Sequence, residues 1–271
     1  MTNIIKLFEN NIGKLKTIKK LSGGLSNDIY LVNRKYLWKR IKNKYLFDHQ
    51  NEIDIMTNSE YFDLYYKDDD NICYNYIEGT NISEDEFYNK IDQVLKETKK
   101  FHNIKVKTKN FWNDIVPEWL RKIDNNEYYV KIYQIINNEL LELHDDNDLV
   151  LCHHDIHSGN IIKNNNNMSL IDLEFSFQNY YYVDLGNIIC ELFADYDNQV
   201  YNYEKINDDL KLRIINMYHN SNNKDLLKKI NIGIKISHFY WCIWGILVNS
   251  NNNNKEFDYL KFSLERKKFL N

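Results

Sequence analysis

Proline is almost missing from this 271-residue chain: Pro117 is the only one, and Ala194 is the only alanine. With eight glycines as well, the composition excludes collagen-like repeats and proline-rich linkers. Cysteine is also sparse. Cys73, Cys152, Cys190 and Cys242 are far apart, and no CxxC pair occurs. That spacing excludes a zinc ribbon or a disulfide scaffold and predicts reduced thiols in a core. No charge of one sign dominates: 35 basic against 39 acidic residues give a net charge of −4, so no nucleic-acid partner is expected. A long uninterrupted apolar run is missing too. The most apolar stretch, residues 230–248, carries Lys235 and His238 and reads as a buried helix, so no membrane insertion is expected. The opening MTNIIKLFENN lacks the basic-then-apolar pattern of a secretory signal, and the expected location is cytoplasmic.

What is abundant is Asn, Lys, Ile and Tyr, a bias that weakens any reading from propensity alone. The 43% hydrophobic and 27% charged residues are enough for a sizeable core. Periodicity and turn chemistry then divide the chain. Up to residue 78 the reading is strand-rich: KTIKKL (16–21), DIYLV (28–32) and KYLWKRI (35–41) form an antiparallel meander. A short helix over 48–59 and a strand NICYNYIEG (71–79) follow. From Ser83 the segment SEDEFYNKIDQVLKETKKFHN predicts a helix, with Ser83 and Glu86 as a capping box and residues 87, 91, 94, 95 and 98 on one face. A second amphipathic helix is expected over 130–144. The runs LVLC, NIIK and MSLIDLE read as strands, the last two joined by asparagines 164–167, which tolerate left-handed backbone angles. From about Asp184 the chain reads as mostly helical. The fold class predicted is α+β: a β-rich N-terminal lobe over 1–78, a connection at about 74–80, and a larger helical lobe over 81–271.

Reactive side chains gather in LCHHDIHSGNII (151–162), where His153, Asp155 and Asn160 make the pattern H-x-D-x-x-x-x-N. Asp172, in LIDLE, comes seventeen residues after Asp155. Phosphoryl transfer from ATP needs this set: a carboxylate to take the proton of the attacking hydroxyl, and an Asn and a second Asp to hold Mg2+. Asp155 is the candidate base, Asn160 and Asp172 are the candidate metal ligands, and His153 would orient the loop. The competing reading is an ordinary polar hairpin turn. Its placement after an apolar strand, with Asp172 closing the next hairpin, favours the chemical one.

The same segments carry a resemblance. HHDIHSGNII, then IDLEFSFQNYYYVDLGNIICELFADY, then SHFYWCIWGI (237–246) and EFDY (256–259) closely resemble the choline/ethanolamine kinase family, whose fold is that of the protein kinases. LSGGLSNDIYLV is similar to the family's phosphate loop, and FHN (101–103) to its Phe-His helix end, so the likeness runs in order along nearly the whole chain. It implies ATP and Mg2+ as cofactors and a small amino alcohol, choline or ethanolamine, as substrate.

Residue by residue, the resemblance implies that Trp241 and Trp244 join Phe175, Glu191, Tyr196 and Phe262 around the head group, with His157 beside Asp155. Aromatic faces suit a quaternary ammonium, which cannot donate hydrogen bonds; two indoles on an apolar helix could equally be core. Gly23, Gly24, Ser26 and Asn27 would approach the phosphates, and Asn75 and Ile77 would meet adenine. Strand alternation lets only one of Lys39 and Arg40 face the nucleotide. The resemblance favours Arg40, with Glu52 as its partner. Asp184 would support the loop, or cap the helix that follows. His157 stands where the family often has Gln, and Phe175 and Phe262 where it has Tyr, which leaves choline and ethanolamine both open. The family's compact bacterial members match this chain's length, and a monomer or homodimer is expected. Two rivals are an aminoglycoside phosphotransferase of the same fold and a catalytically inactive binding module. The basic tail LERKKFLN argues against the first.

Overall fold

The computed structural model describes residues 2–21, 27–42, 44–46, 49–59, 62–143, 145–196, 198–221, 223–251 and 257–270. The chain divides into two compact units, Met1–Gly79 and Thr80–Asn271.

The first unit is built on an antiparallel sheet. In chain order it holds α1 (Thr2–Asn11), β1 (Ile18–Lys20), β2 (Asp28–Val32), β3 (Tyr36–Arg40), α2 (Gln50–Thr57), β4 (Leu64–Lys67) and β5 (Asn71–Asn75). The strands lie in the order β1-β2-β3-β5-β4. The turn between β2 and β3 works because Asn33 and Arg34 both take left-handed angles, φ 51° and 55°, the twist that a tight hairpin needs. The Asn33 carboxamide then ties down the incoming chain, accepting from the Lys16 and Thr17 N–H groups at 2.7 and 3.0 Å.

Helix α1 has no counterpart in the sequence expectation. Its Ile4 and Phe8, four residues apart, lie on one face and are buried with Tyr30, Val32, Trp38 and Cys73. Strand β4 was likewise not expected, and β5 ends at Asn75 instead of running to Gly79. Alternation along β3 buries Trp38 and Lys39 in succession, so the two side chains leave on opposite faces.

The second unit opens with β6 (Thr80–Asn81), α3 (Glu84–Asn89) and α4 (Ile91–His102). The Ser83–Glu86 capping box is formed. The single helix expected over 83–103 is instead two, broken at Lys90 (φ −113°, ψ 28°), where no glycine or proline marks the break. A π-helical turn, Phe111–Ile115, leads into α5 (Val116–Leu120) and then α6 (Glu127–Leu141), which starts earlier than the 130–144 expected.

Next come β7 (Leu149–Cys152), β8 (Ile161–Asn164), β9 (Asn167–Leu170) and β10 (Phe177–Tyr180). β8 and β9 form the expected hairpin, with Asn165 left-handed at its tip (φ 54°). β7 pairs antiparallel with β10, which fixes both ends of the loop between them. The remainder is α7 (Tyr181–Glu191), the short pair β11 (Ala194–Asp195) and β12 (Val200–Tyr201), α8 (Asp208–His219), α9 (Leu227–Asn251) and α10 (Tyr259–Lys267).

The apolar stretch 230–248 lies inside α9 and is largely buried. Among the described residues no helix is long and apolar enough to cross a membrane. All four cysteines are free and buried. The α+β class read from the sequence stands.

Helices α7 and α9 cross backbone to backbone. A Cβ on Gly186 would lie 2.3 Å from the Gly233 carbonyl carbon, and one on Gly233 would lie 2.0 Å from the Tyr182 oxygen. Neither backbone can yield as a flexible side chain would. Gly186→Ala is therefore expected to cost roughly 3 kcal/mol in urea-unfolding measurements, and an unchanged midpoint would contradict this close crossing.

Candidate active site

The loop between β7 and β8 is held from below by α7. Asp184, in the first turn of that helix, is fully buried. Its Oδ2 accepts from the His153 N–H at 2.7 Å, and its Oδ1 from the His154 N–H at 2.7 Å. His102, at the end of α4, adds its Nε2 at 2.9 Å. Burial alone would raise this carboxyl, but the His102 hydrogen bond and charge and the loop N–H groups hold it below the usual carboxylate range. One helical turn on, Asn187 Oδ1 accepts from the Ile156 N–H at 2.8 Å. Since α7 begins at Tyr181, Asp184 lies within the helix and does not cap it. Of the two readings made from the sequence, loop support is the one formed.

His153 links the loop to the Asp172 segment. Its backbone partners fix the tautomer: Nε2–H donates to the Ile171 carbonyl at 2.9 Å, and Nδ1 accepts from the Asp155 N–H at 3.3 Å. Burial lowers its pKa, so the ring is neutral. Asp172 itself sits at φ 62°, ψ 72°, an uncommon region for a residue with a Cβ.

Asn160 turns its Nδ2 toward Asp155, donating to Oδ2 at 2.7 Å and to the main-chain oxygen at 3.0 Å. Asp155 is only partly exposed, and desolvation, the largest influence, pushes its carboxyl up to about 7. Asp172, Glu191 and Glu174 raise it further, while His157 opposes them. His157 accepts the Gly159 N–H on Nδ1 at 3.1 Å and brings Nε2 to 3.8 Å from Asp155 Oδ1.

Four of the five aromatic residues picked from the sequence form one cluster, while Tyr196 lies instead against His157, ring centroids 6.0 Å apart. Trp241 and Trp244, three apart on α9, meet edge to face with ring centroids 5.1 Å apart. Phe175 lies 5.1 Å from Trp241, and Phe262 lies 5.7 Å from Trp244. Tyr259 joins them at 5.5 Å from Trp244. Each indole is 6% exposed.

Glu191 is close by but not unpaired. Arg266 Nη2 reaches its Oε1 at 2.5 Å, with both side chains almost fully buried, and the Tyr196 hydroxyl donates to its Oε2. Arg266 also stacks over the Tyr201 ring at 4.1 Å and lies 5.2 Å from the Phe262 ring.

In the first unit one expectation is corrected. Glu52 pairs with Lys39 and not with Arg40: Lys39 Nζ lies 2.8 and 3.1 Å from its two oxygens, and both side chains are 1% exposed. Lys39 leaves β3 on the face that meets α2, whereas Arg40, one residue on, is exposed. Burial would raise the Glu52 carboxyl, but Lys39 and His49 outweigh it and bring it down to about 2.

Asn27 is buried and accepts the Lys42 N–H on its Oδ1 at 3.1 Å. Asn75 closes β5, taking the Asp63 N–H at 2.6 Å on its Oδ1, and Ile77 follows just before Gly79. Gly23, Gly24 and Ser26 lie outside the described residues.

Four contributors escaped sequence reasoning. His154 stacks on Phe111, donates Nδ1–H to the Phe175 carbonyl at 2.9 Å, and accepts from Asn179 on Nε2. Tyr240 donates to the His154 carbonyl at 2.5 Å. Asn187 and Arg266 complete the set. Arg266 had a usable signal, four residues after Phe262 on the same helical face.

Removing one partner of a buried ion pair leaves the other charge stranded. Lys39→Met is expected to lower stability by about 3–5 kcal/mol, whereas Arg40→Met stays within about 0.5 kcal/mol of wild type. In the wild type, the Glu52 contribution is fully present above the ordinary 4.5 and is lost as pH falls through about 2. Equal losses for Lys39→Met and Arg40→Met in urea titrations would contradict the pairing.

The family model for choline/ethanolamine kinase matches residues 18–271. A Dictyostelium discoideum protein named "Probable ethanolamine kinase A" is 28% identical over 305 aligned positions, covering 96% of this chain and 86% of its own length. Among solved structures, choline kinase LicA from Streptococcus pneumoniae superposes with a TM-score of 0.78 at 17% identity, over 99% of this chain and 98% of its own. The aminoglycoside phosphotransferase APH(2'')-Ib gives 0.62 at 16% identity, over 99% and 96%. The two structures speak to the fold, which is protein-kinase-like. Because the family model spans both units, loop and aromatic cluster included, the chain belongs to the choline/ethanolamine kinase family.

Proposed function

We propose that the protein transfers the γ-phosphoryl group of ATP to the hydroxyl of choline or ethanolamine, with Asp155 as the base. The observation that carries this reading is the state of Asp155. Its Oδ2 accepts from Asn160 at 2.7 Å in a loop pinned by Asp184, and burial pushes its carboxyl up to about 7, so the group can take a proton near neutral pH.

The roles follow from the contacts. Asn160 holds Oδ2 of Asp155, so the carboxylate presents a fixed face to the alcohol. As the hydroxyl oxygen bonds to phosphorus, its proton passes to Asp155, and the bond to the β-phosphate oxygen breaks to release ADP. Asn160 and Asp172 would hold Mg2+, and the donor set fits. The Asn160 nitrogen is spent on Asp155, which leaves the carboxamide oxygen as the end for a hard cation, and a carboxylate completes the pair. Bound there, the ion would draw charge from the phosphate oxygens.

In the first unit, Lys39, oriented by Glu52, takes the phosphate-pairing role first assigned to Arg40. Gly23, Gly24, Ser26 and Asn27 are assigned to the phosphates, and Asn75 and Ile77 to adenine. The substrate's ammonium would lie against Phe175, Trp241, Trp244 and Phe262 beside Glu191 and Tyr196, with His157 toward the reacting end. These rings touch one another in this structure, so seating a head group requires them to part.

An aminoglycoside, with several ammonium groups, needs an acidic pocket. The neutralised Glu191 argues against that substrate.

The test is product formation. Incubated with Mg2+, ATP and choline, the wild type is expected to yield phosphocholine and ADP, and Asp155→Asn is expected to lose at least about 100-fold in kcat while keeping its unfolding midpoint. Full turnover in the folded Asp155→Asn variant would refute the assigned base. Transfer to an aminoglycoside but to neither amino alcohol would refute the substrate class.

A further inference from the structure

Arg266 is buried beside the aromatic cluster, 5.2 Å from the Phe262 ring. Its Nη2 holds Glu191 Oε1 at 2.5 Å, and Tyr196 holds Oε2. Each oxygen of the carboxylate assigned to the head group therefore already accepts one donor, and its charge is balanced by the guanidinium. The two indole N–H groups, Trp241 Nε1 and Trp244 Nε1, are buried without hydrogen-bond partners. Phe175 and Phe262 have no hydroxyl to offer. The assigned wall thus presents aromatic faces and hydrogen-bond donors, and the charge of its carboxylate, Glu191, is already paired with Arg266.

We infer that Arg266 is a specificity-determining, positioning residue: by occupying Glu191 it makes the head-group box select methylated ammonium over a primary one. The inference rests on the function proposed above and deepens it. A primary ammonium brings three N–H donors that must be satisfied once desolvated, and an unmet donor is costly. A trimethylammonium brings none and buries three methyl groups against ring faces, where its spread charge is attracted. With Glu191 engaged, each N–H exchanged for N–CH3 removes a mismatch.

The experiment is a methylation series. Wild-type kcat/KM is measured for ethanolamine, N-methylethanolamine, N,N-dimethylethanolamine and choline at saturating Mg·ATP. It is expected to rise with each methyl, choline exceeding ethanolamine by at least about tenfold. Arg266→Met releases Glu191 Oε1. It is expected to bring the choline-to-ethanolamine ratio toward one through a lower KM for ethanolamine, with the KM for ATP unchanged. Arg266→Lys keeps a cation beside Glu191 and is expected to retain the wild-type preference. A wild type that prefers ethanolamine overturns the inference and needs no variant to fold. A ratio unchanged in folded Arg266→Met, with both substrates equally impaired, overturns the role of Arg266. Absence of transfer to all four alcohols would overturn the proposed function itself, and this inference with it.

Discussion

The buried carboxylate of Asp184 is the anchor of the candidate active site. Its two oxygens receive consecutive loop N–H groups, from His153 and His154, and a third donor from His102. Hydrogen bonds to a charged acceptor are each worth about 1.5–3 kcal/mol. A fully buried carboxylate without them would face a desolvation penalty of several kcal/mol. Anchor and loop therefore depend on each other, which is how a short polar segment keeps one conformation between two apolar strands. His154 shows the constraint directly. It is held at φ 66° by its amide to Asp184, its ring to the Phe175 carbonyl and its own carbonyl to Tyr240.

Helix α7 extends this anchor into the rest of the site. Asp184, Asn187 and Glu191 recur at three- and four-residue intervals, so they share one face. The first two grip the loop, and the third, with Arg266, borders the aromatic cluster. The glycine crossing at Gly186 and Gly233 sets the distance between α7 and α9, and α9 carries Trp241 and Trp244. A backbone contact between two helices thereby registers the loop against the aromatic residues. Precise placement of reacting groups needs support of this kind.

The candidate site residues were legible in the sequence because they lie in short local patterns. His153, Asp155 and Asn160 fall within eight residues, and Trp241 and Trp244 within one turn. The Ser83–Glu86 capping box was legible for the same reason, since both of its bonds are made within four residues. What escaped depended on contacts distant in sequence. Arg266 finds Glu191 across 75 positions, and its place in a basic tail disguised a residue that is 1% exposed. The choice between Lys39 and Arg40 turned on which face of β3 meets α2, and alternation alone does not say which face is which. Helix α1 was missed because ten residues give few turns of periodicity, and its burial is decided by the sheet it covers. The break at Lys90 has no marker residue at all.

The claim that Asp184 holds the loop can be measured at the loop itself, by hydrogen exchange of the His153 and His154 amides. Both donate to a buried charge, so they should exchange among the slowest in the second unit. In Asp184→Asn they should speed up together, with phosphoryl transfer falling alongside. Fast exchange of these two amides in the wild type, or slow exchange that persists in Asp184→Asn, would contradict the account.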